Sequence, residues 1–117
     1  MRLRTACAWG FALNGMATAA FGLALLVFSA DAYARADALA SLGLGIMGTG
    51  LALGPFRRGE RWAWGVLWFW PIFWLVHWLL DLPPGHDHVH QVVLLVLSGA
   101  CLVGAVPTWT PETKAVG

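Results

Sequence analysis

Four stretches of the chain are almost wholly apolar, and short polar segments separate them: 6–30, 38–56, 62–82 and 89–106. The first carries no charge, and the third carries none until Asp81. A helix rises about 1.5 Å per residue, so about 20 apolar residues cross the roughly 30 Å of hydrocarbon in a bilayer. The pattern predicts four membrane-spanning α-helices. Pro55, Pro83–Pro84 and Pro107 fall at three of the ends, where a residue with no backbone N–H stops a helix. The connections are short, which predicts antiparallel hairpins. The expected fold is therefore all-α, a four-helix transmembrane bundle, with residues 1–117 forming a single membrane domain.

Arg2 and Arg4, an apolar run and then Ala32-Tyr33-Ala34 imitate a cleaved signal peptide. The run is longer than the roughly 7–15 residues of a signal's apolar region, which favours a retained helix.

Composition agrees with this pattern. Hydrophobic residues make up 59% of the 117, charged residues only 11%, and mean hydropathy is +0.69. A soluble domain carries about 25% charged residues to cover its wet surface. The net charge of +1 offers no basic field for nucleic acid. Cys7 and Cys101 stand far apart and form no C-x-x-C, so they read as small apolar helix residues.

Lys and Arg set the orientation. Arg2, Arg4, Arg57, Arg58, Arg61 and Lys114 fall on one side, and Arg35 alone falls on the other with Asp31, Asp37, Asp81 and Asp87. Positive loops stay in the cytoplasm. Both termini are then cytoplasmic, in a multi-pass protein of a bacterial-type inner membrane.

Between helices in lipid, small residues let backbones approach. Gly10, Asn14, Thr18 and Gly22 form one stripe of span one, and Ser41, Gly45 and Thr49 form one of span two, beside a G-x-x-x-G at Gly50 and Gly54. These are expected to face each other, with Asn14 bridging helices. The run Gly43, Gly45, Gly48, Gly50 lies inside an apolar span with no preceding strand, so it is not a phosphate loop.

Span three holds Trp62, Trp64, Trp68, Trp70, Trp74 and Trp78, with Pro71 near its middle. Pro71 is expected to kink it. Trp62 and Trp64 suit an interfacial belt. The deeper indoles read either as packing and lipid-facing tryptophans or as the aromatic wall of a site. In the second reading Trp70, Trp74 and Trp78 bind a flat apolar molecule such as a quinone, a sterol-like lipid or a pigment.

One group of residues has coordination chemistry. His77 and Asp81 are four apart on span three, and His86, His88 and His90 follow around the turn. Neutral imidazoles plus a carboxylate suit zinc, copper or nickel, and a helix N-terminus disfavours imidazolium. The alternative is an exposed polar turn with His77 paired to Asp81. A third reading is proton handling, since histidine titrates near neutral pH.

Absences narrow the functions further. No acidic or basic residue lies mid-span, which lowers the reading as a proton-coupled transporter or ion pump. No nucleophile–base pair, Gly-x-Ser-x-Gly or nucleotide motif appears, and enzymatic activity is not expected.

The stretch Gly59-Glu60-Arg61-Trp62-Ala63-Trp64, with Leu67-Trp68 and Pro71 behind it, resembles a run found in small four-span bacterial membrane proteins of the DoxX-like and domain-of-unknown-function type. The resemblance covers the third span and its preceding turn, and implies the four-span topology but no functional residue. Two functions remain. One is a non-enzymatic accessory subunit of a larger membrane complex or a homo-oligomer, or a binder of an apolar molecule or lipid through span three. The other is a metal-binding protein, for Zn or Cu, using His77, Asp81, His86, His88 and His90.

Overall fold

The computed structural model describes residues 2–81 and 88–105, and all regular structure among them is helical. Helix α1 is Arg2–Phe28 and α2 is Ala32–Leu51. A π-helical turn, Ala52–Phe56, continues α2. Helices α3 (Arg61–Leu67) and α4 (Phe69–Leu79) are two halves of a third, interrupted helix. Helix α5 is Val89–Ala105. The four helices match the four apolar stretches, and their ends differ from the expected ones for identifiable reasons.

Helix α2 starts six residues ahead of the apolar stretch, because Asp31 caps it. Its carboxylate accepts from the Ala34 N–H at 2.8 Å, which satisfies a donor that the first turn leaves orphaned. At the other end Pro55 does not stop the helix. The π-turn carries the chain through it, and the Arg57 N–H reaches back to the Ala52 and Gly54 carbonyls. A wider turn absorbs the missing N–H of proline. The helix ends instead at Gly59. The Glu60 N–H donates to the Pro55 carbonyl at 3.0 Å, and the Gly59 N–H donates to the Phe56 carbonyl at 2.9 Å. With Gly59 at φ +88°, this is a Schellman closure, which favours glycine in the left-handed position.

The interruption in the third helix falls at Trp68, not at Pro71. A proline ring crowds the carbonyl four residues before it, so the disturbance lands ahead of the proline. Trp68 takes φ −59°, ψ −15°, and the Ile72 N–H reaches the Trp68 carbonyl at 3.3 Å. Span three ends at Leu79–Asp81, with Asp81 at φ +51°, a region aspartate tolerates better than most residues. Pro83, Pro84 and Pro107 lie outside the described residues.

Helices α1 and α2 pack backbone against backbone. A Cβ on Gly15 would come within 2.5 Å of the Thr49 hydroxyl and 2.8 Å of the Gly45 carbonyl, and one on Gly22 within 2.6 Å of the Ala38 carbonyl. The expected stripe is therefore half right. Gly22, Gly45 and Thr49 are in the contact, but Gly10 and Gly50 face open space, and Gly15 takes the place assigned to Gly10 and Asn14. Asn14 does not bridge helices through its side chain among the described residues; its backbone carbonyl accepts the Thr18 hydroxyl at 2.9 Å. The core lies toward the other end, where Cys7, Phe11, Ala52, Phe56, Ala63, Leu67, Trp70 and Leu102 meet. Cys7 and Cys101, distant in sequence, become neighbours there, Cys7 within the core and Cys101 packed against it, and both are free thiols.

Candidate ligand-binding site

The third helix spreads its tryptophans among different jobs. Trp64 donates its indole N–H to the Leu102 carbonyl at 2.8 Å, tying α3 to α5. Trp70 is 2% exposed and lies against Gly48 of α2, where a Cβ would meet its ring at 2.6 Å. Trp74 stacks on Trp70, with centroids 6.3 Å apart and planes at 19°. Its indole nitrogen is buried and has no hydrogen-bond partner among the described residues. Trp78 is half exposed, at the rim of a shallow hollow with His88, Val89, Val92 and Val93. Of the three tryptophans expected to form one wall, Trp70 borders one hollow and Trp78 another.

Trp70 does line one. A cleft of about 230 Å³ runs between α2 and the third helix, bounded by Leu44, Met47, Gly48, Leu51, Val66, Leu67, Phe69 and Trp70. Every side chain in that wall is apolar. Gly48 brings α2 onto the ring of Trp70, and Leu44, Met47, Val66 and Phe69 line the space beside that contact. Sequence reasoning missed the α2 half of this wall. Gly48 was visible only as one glycine of a run, and no period singles out Leu44 or Met47.

Charged side chains gather at the turn between α2 and α3, beyond the residues that line the cleft. Arg58 binds one oxygen of Glu60 with Nε at 2.9 Å and Nη2 at 2.8 Å, and the Trp62 indole donates to the other oxygen at 2.6 Å. These two partners, Arg58 first, hold the Glu60 carboxyl below the usual glutamate range. Arg4 crosses from α1 to donate through Nε to the Arg57 carbonyl at 3.2 Å. Its guanidinium lies over Gly59, where a Cβ would be 2.9 Å from Nη1. The run Gly59-Glu60-Arg61-Trp62 thus has a physical reading: a left-handed closure, a helix start and a fixed anionic pivot.

The histidines separate. His77 donates from Nδ1 to the Phe73 carbonyl at 2.8 Å, one turn back, and its ring lies 4.0 Å from that of Phe73. It is not paired with Asp81. Asp81 instead accepts from Nε2 of His88 at 2.5 Å, and Nδ1 of His88 meets the side-chain oxygen of buried Gln91 at 2.7 Å. A carboxylate only accepts, so Nε2 carries a hydrogen, and a bond from Nδ1 to an amide oxygen requires one on Nδ1 as well. His90 faces the edge of Trp74 with ring centroids 6.4 Å apart. Among the described residues no three of His, Cys, Asp and Glu come together as a metal would require, and His86 lies outside them. Asp81 with His88 and Trp74 with His90 join the third helix to the start of α5, while His77 is bonded within its own helix.

No protein-family model matches the chain, and no curated protein or solved structure is significantly similar to it.

Proposed function

We propose that this chain is a non-enzymatic integral membrane protein that binds an apolar molecule or lipid in the cleft between α2 and its tryptophan-rich third helix, alone or as a subunit of a larger membrane complex. The cleft itself carries the reading. Its wall is wholly apolar, and buried Trp70 forms part of it.

Exposure supports lipid surroundings. Helix α1 and the α2–π segment Ala32–Phe56 are each long and apolar enough to cross a bilayer, yet only 28% and 22% of their most apolar windows are covered by the rest of the chain. A core helix of a soluble protein passes the same length test but is mostly buried. Phe28 at 85% exposed and Leu79 at 68% would cost free energy in water. The contacts of α1 with α2 run in opposite order, Gly15 with Gly45 and Thr49, Gly22 with Ala38 and Leu42, which supports an antiparallel hairpin. Arg2, Arg4, Arg57, Arg58 and Arg61 gather at one end, Asp31 and Asp81 at the other, and the cytoplasm is assigned to the arginine end.

The test is organic extraction of protein purified in mild detergent, followed by mass analysis. One apolar species near stoichiometric amount is expected, and it should be lost in Val66→Phe, which fills the cleft. An empty native protein, or equal content in both proteins, would sink the proposal.

A further inference from the structure

Cys7 and Cys101 carry the chain's only thiols, and the fold brings them to one place. Gly104, near the end of α5, lies against Leu3 at the start of α1: a Cβ there would be 3.7 Å from a Leu3 methyl group. One turn further along α1 is Cys7, and about one turn back along α5 is Cys101. Both belong to the cluster that holds Phe11, Leu67 and Leu102. Cys7 is buried and Cys101 only partly, and both are free. Among the described residues no third His, Cys, Asp or Glu joins them, so the pair lacks the donor set of a structural metal. It has the parts of a disulfide instead: a partly open thiol, with a covered one beside it to resolve its oxidised form.

We propose that Cys7 and Cys101 are a reversible dithiol–disulfide clasp between α1 and α5, closed by a membrane-soluble oxidant of the quinone class. Closure joins the two sulfurs. The two thiol hydrogens leave as two protons and two electrons, which reduce the quinone to its hydroquinone. A thiol reductant reopens the bond by exchange. The surroundings select the oxidant. The cluster is built from apolar side chains, so a charged oxidant loses hydration on its way to the pair, and a neutral apolar one does not. The closed bond spans almost the whole chain and restricts the unfolded state accordingly. It forms beside Leu102, whose carbonyl holds the Trp64 indole, so α5 is then fastened to α1 as well as to α3.

The experiment treats the purified full chain in detergent, without oxygen, with tetramethyl-1,4-benzoquinone, whose methylated ring carbons block addition of thiols. Wild type is expected to lose two hydrogens in intact mass, to yield one hydroquinone per chain and to give a linked peptide pair holding Cys7 and Cys101. Oxidised glutathione at equal concentration should form the bridge about tenfold more slowly. The bridged protein should unfold at higher denaturant, and dithiothreitol should restore the original midpoint. Cys101→Ala should give neither bridge nor hydroquinone. A wild type that keeps both thiols while its tryptophan fluorescence stays native overturns the clasp, and so does bridging between chains in place of within one. Equal rates with the two oxidants overturn the quinone assignment. A bridge that leaves the unfolding midpoint where it was overturns its role as a fastener of α5.

Discussion

The two halves of this protein hold their helices together in opposite ways. Between α1 and α2 the contact is made by what is missing: Gly15, Gly22 and Gly45 bring backbones so close that a single methyl group has no room. Between the third helix and α5 it is made by bulk and by polar handles, with Trp64 reaching the Leu102 carbonyl and Asp81 taking His88. The first contact is tight from Gly15 to Gly22. The second is a set of separate props. In lipid, where helices gain nothing by hiding apolar surface from one another, close approach and hydrogen bonds are the available glues. The cleft at Trp70 lies where the two halves meet, between α2 and the third helix.

The largest effect should come from breaking the tight half. Gly45→Leu would drive a side chain into the Gly15 carbonyl and Ala19, costing about 3 kcal/mol or more by overpacking. Unfolding in detergent should then require markedly less denaturant. Gly50→Ala, one turn and a half away and facing open space, should instead be neutral or add up to about 1 kcal/mol through helix propensity. Equal effects at the two positions would erase the contrast between used and unused glycines.

In the propped half, Trp70→Ala removes part of the cleft's wall and should cost about 3 kcal/mol in the same assay. Trp64→Phe keeps an aromatic ring but loses both the N–H bonded to Leu102 and part of the indole's bulk, so about 1–3 kcal/mol is expected. A loss below about 0.5 kcal/mol would mean that this contact does not hold α5 in place.

The smallest effect concerns Glu60. Its carboxyl is held below the usual range by Arg58 and then Trp62. A group whose folded value is depressed contributes stability above its unfolded value, near about pH 4.3, and loses it as pH falls through the lower folded value. The side chain is exposed, so little change in stability is expected. The readout is the titration of its carboxyl carbon by NMR, which should move upward in Arg58→Gln.

The coarse fold was legible because apolar runs of about 20 residues have few uses other than long buried or lipid-facing helices. Boundaries were less so. Asp31 as a cap and the passage of α2 through Pro55 depend on local hydrogen bonds that hydropathy does not register. The glycine contact was legible in kind and misplaced in detail, since Gly10 and Gly15 both fit an apolar stripe and only the crossing of the helices selects one. The tryptophans were read as a group because they recur along one segment, but a break at Trp68 sends them to different neighbours. The histidines were read as converging, and the pairing of His88 with Asp81 and Gln91 shows them tied off separately. Arg4 over Gly59 joins residues 55 apart in the chain, and the proximity of Cys7 and Cys101 spans almost all of it. No local pattern announces such contacts.

The seat of Arg4 on Gly59 also has a consequence for the order of assembly. Gly59 is synthesised before any residue of the third helix. Once it emerges, the first two helices possess their glycine contact, their closing turn and the arginine that fastens one end to the other. That pair can be finished while the following helices are still inside the ribosome, and it then offers a completed surface on which they settle. A fusion that pulls Arg4 away from its seat would strike at this first step, lowering the yield of assembled protein more than the endurance of the molecules that do assemble.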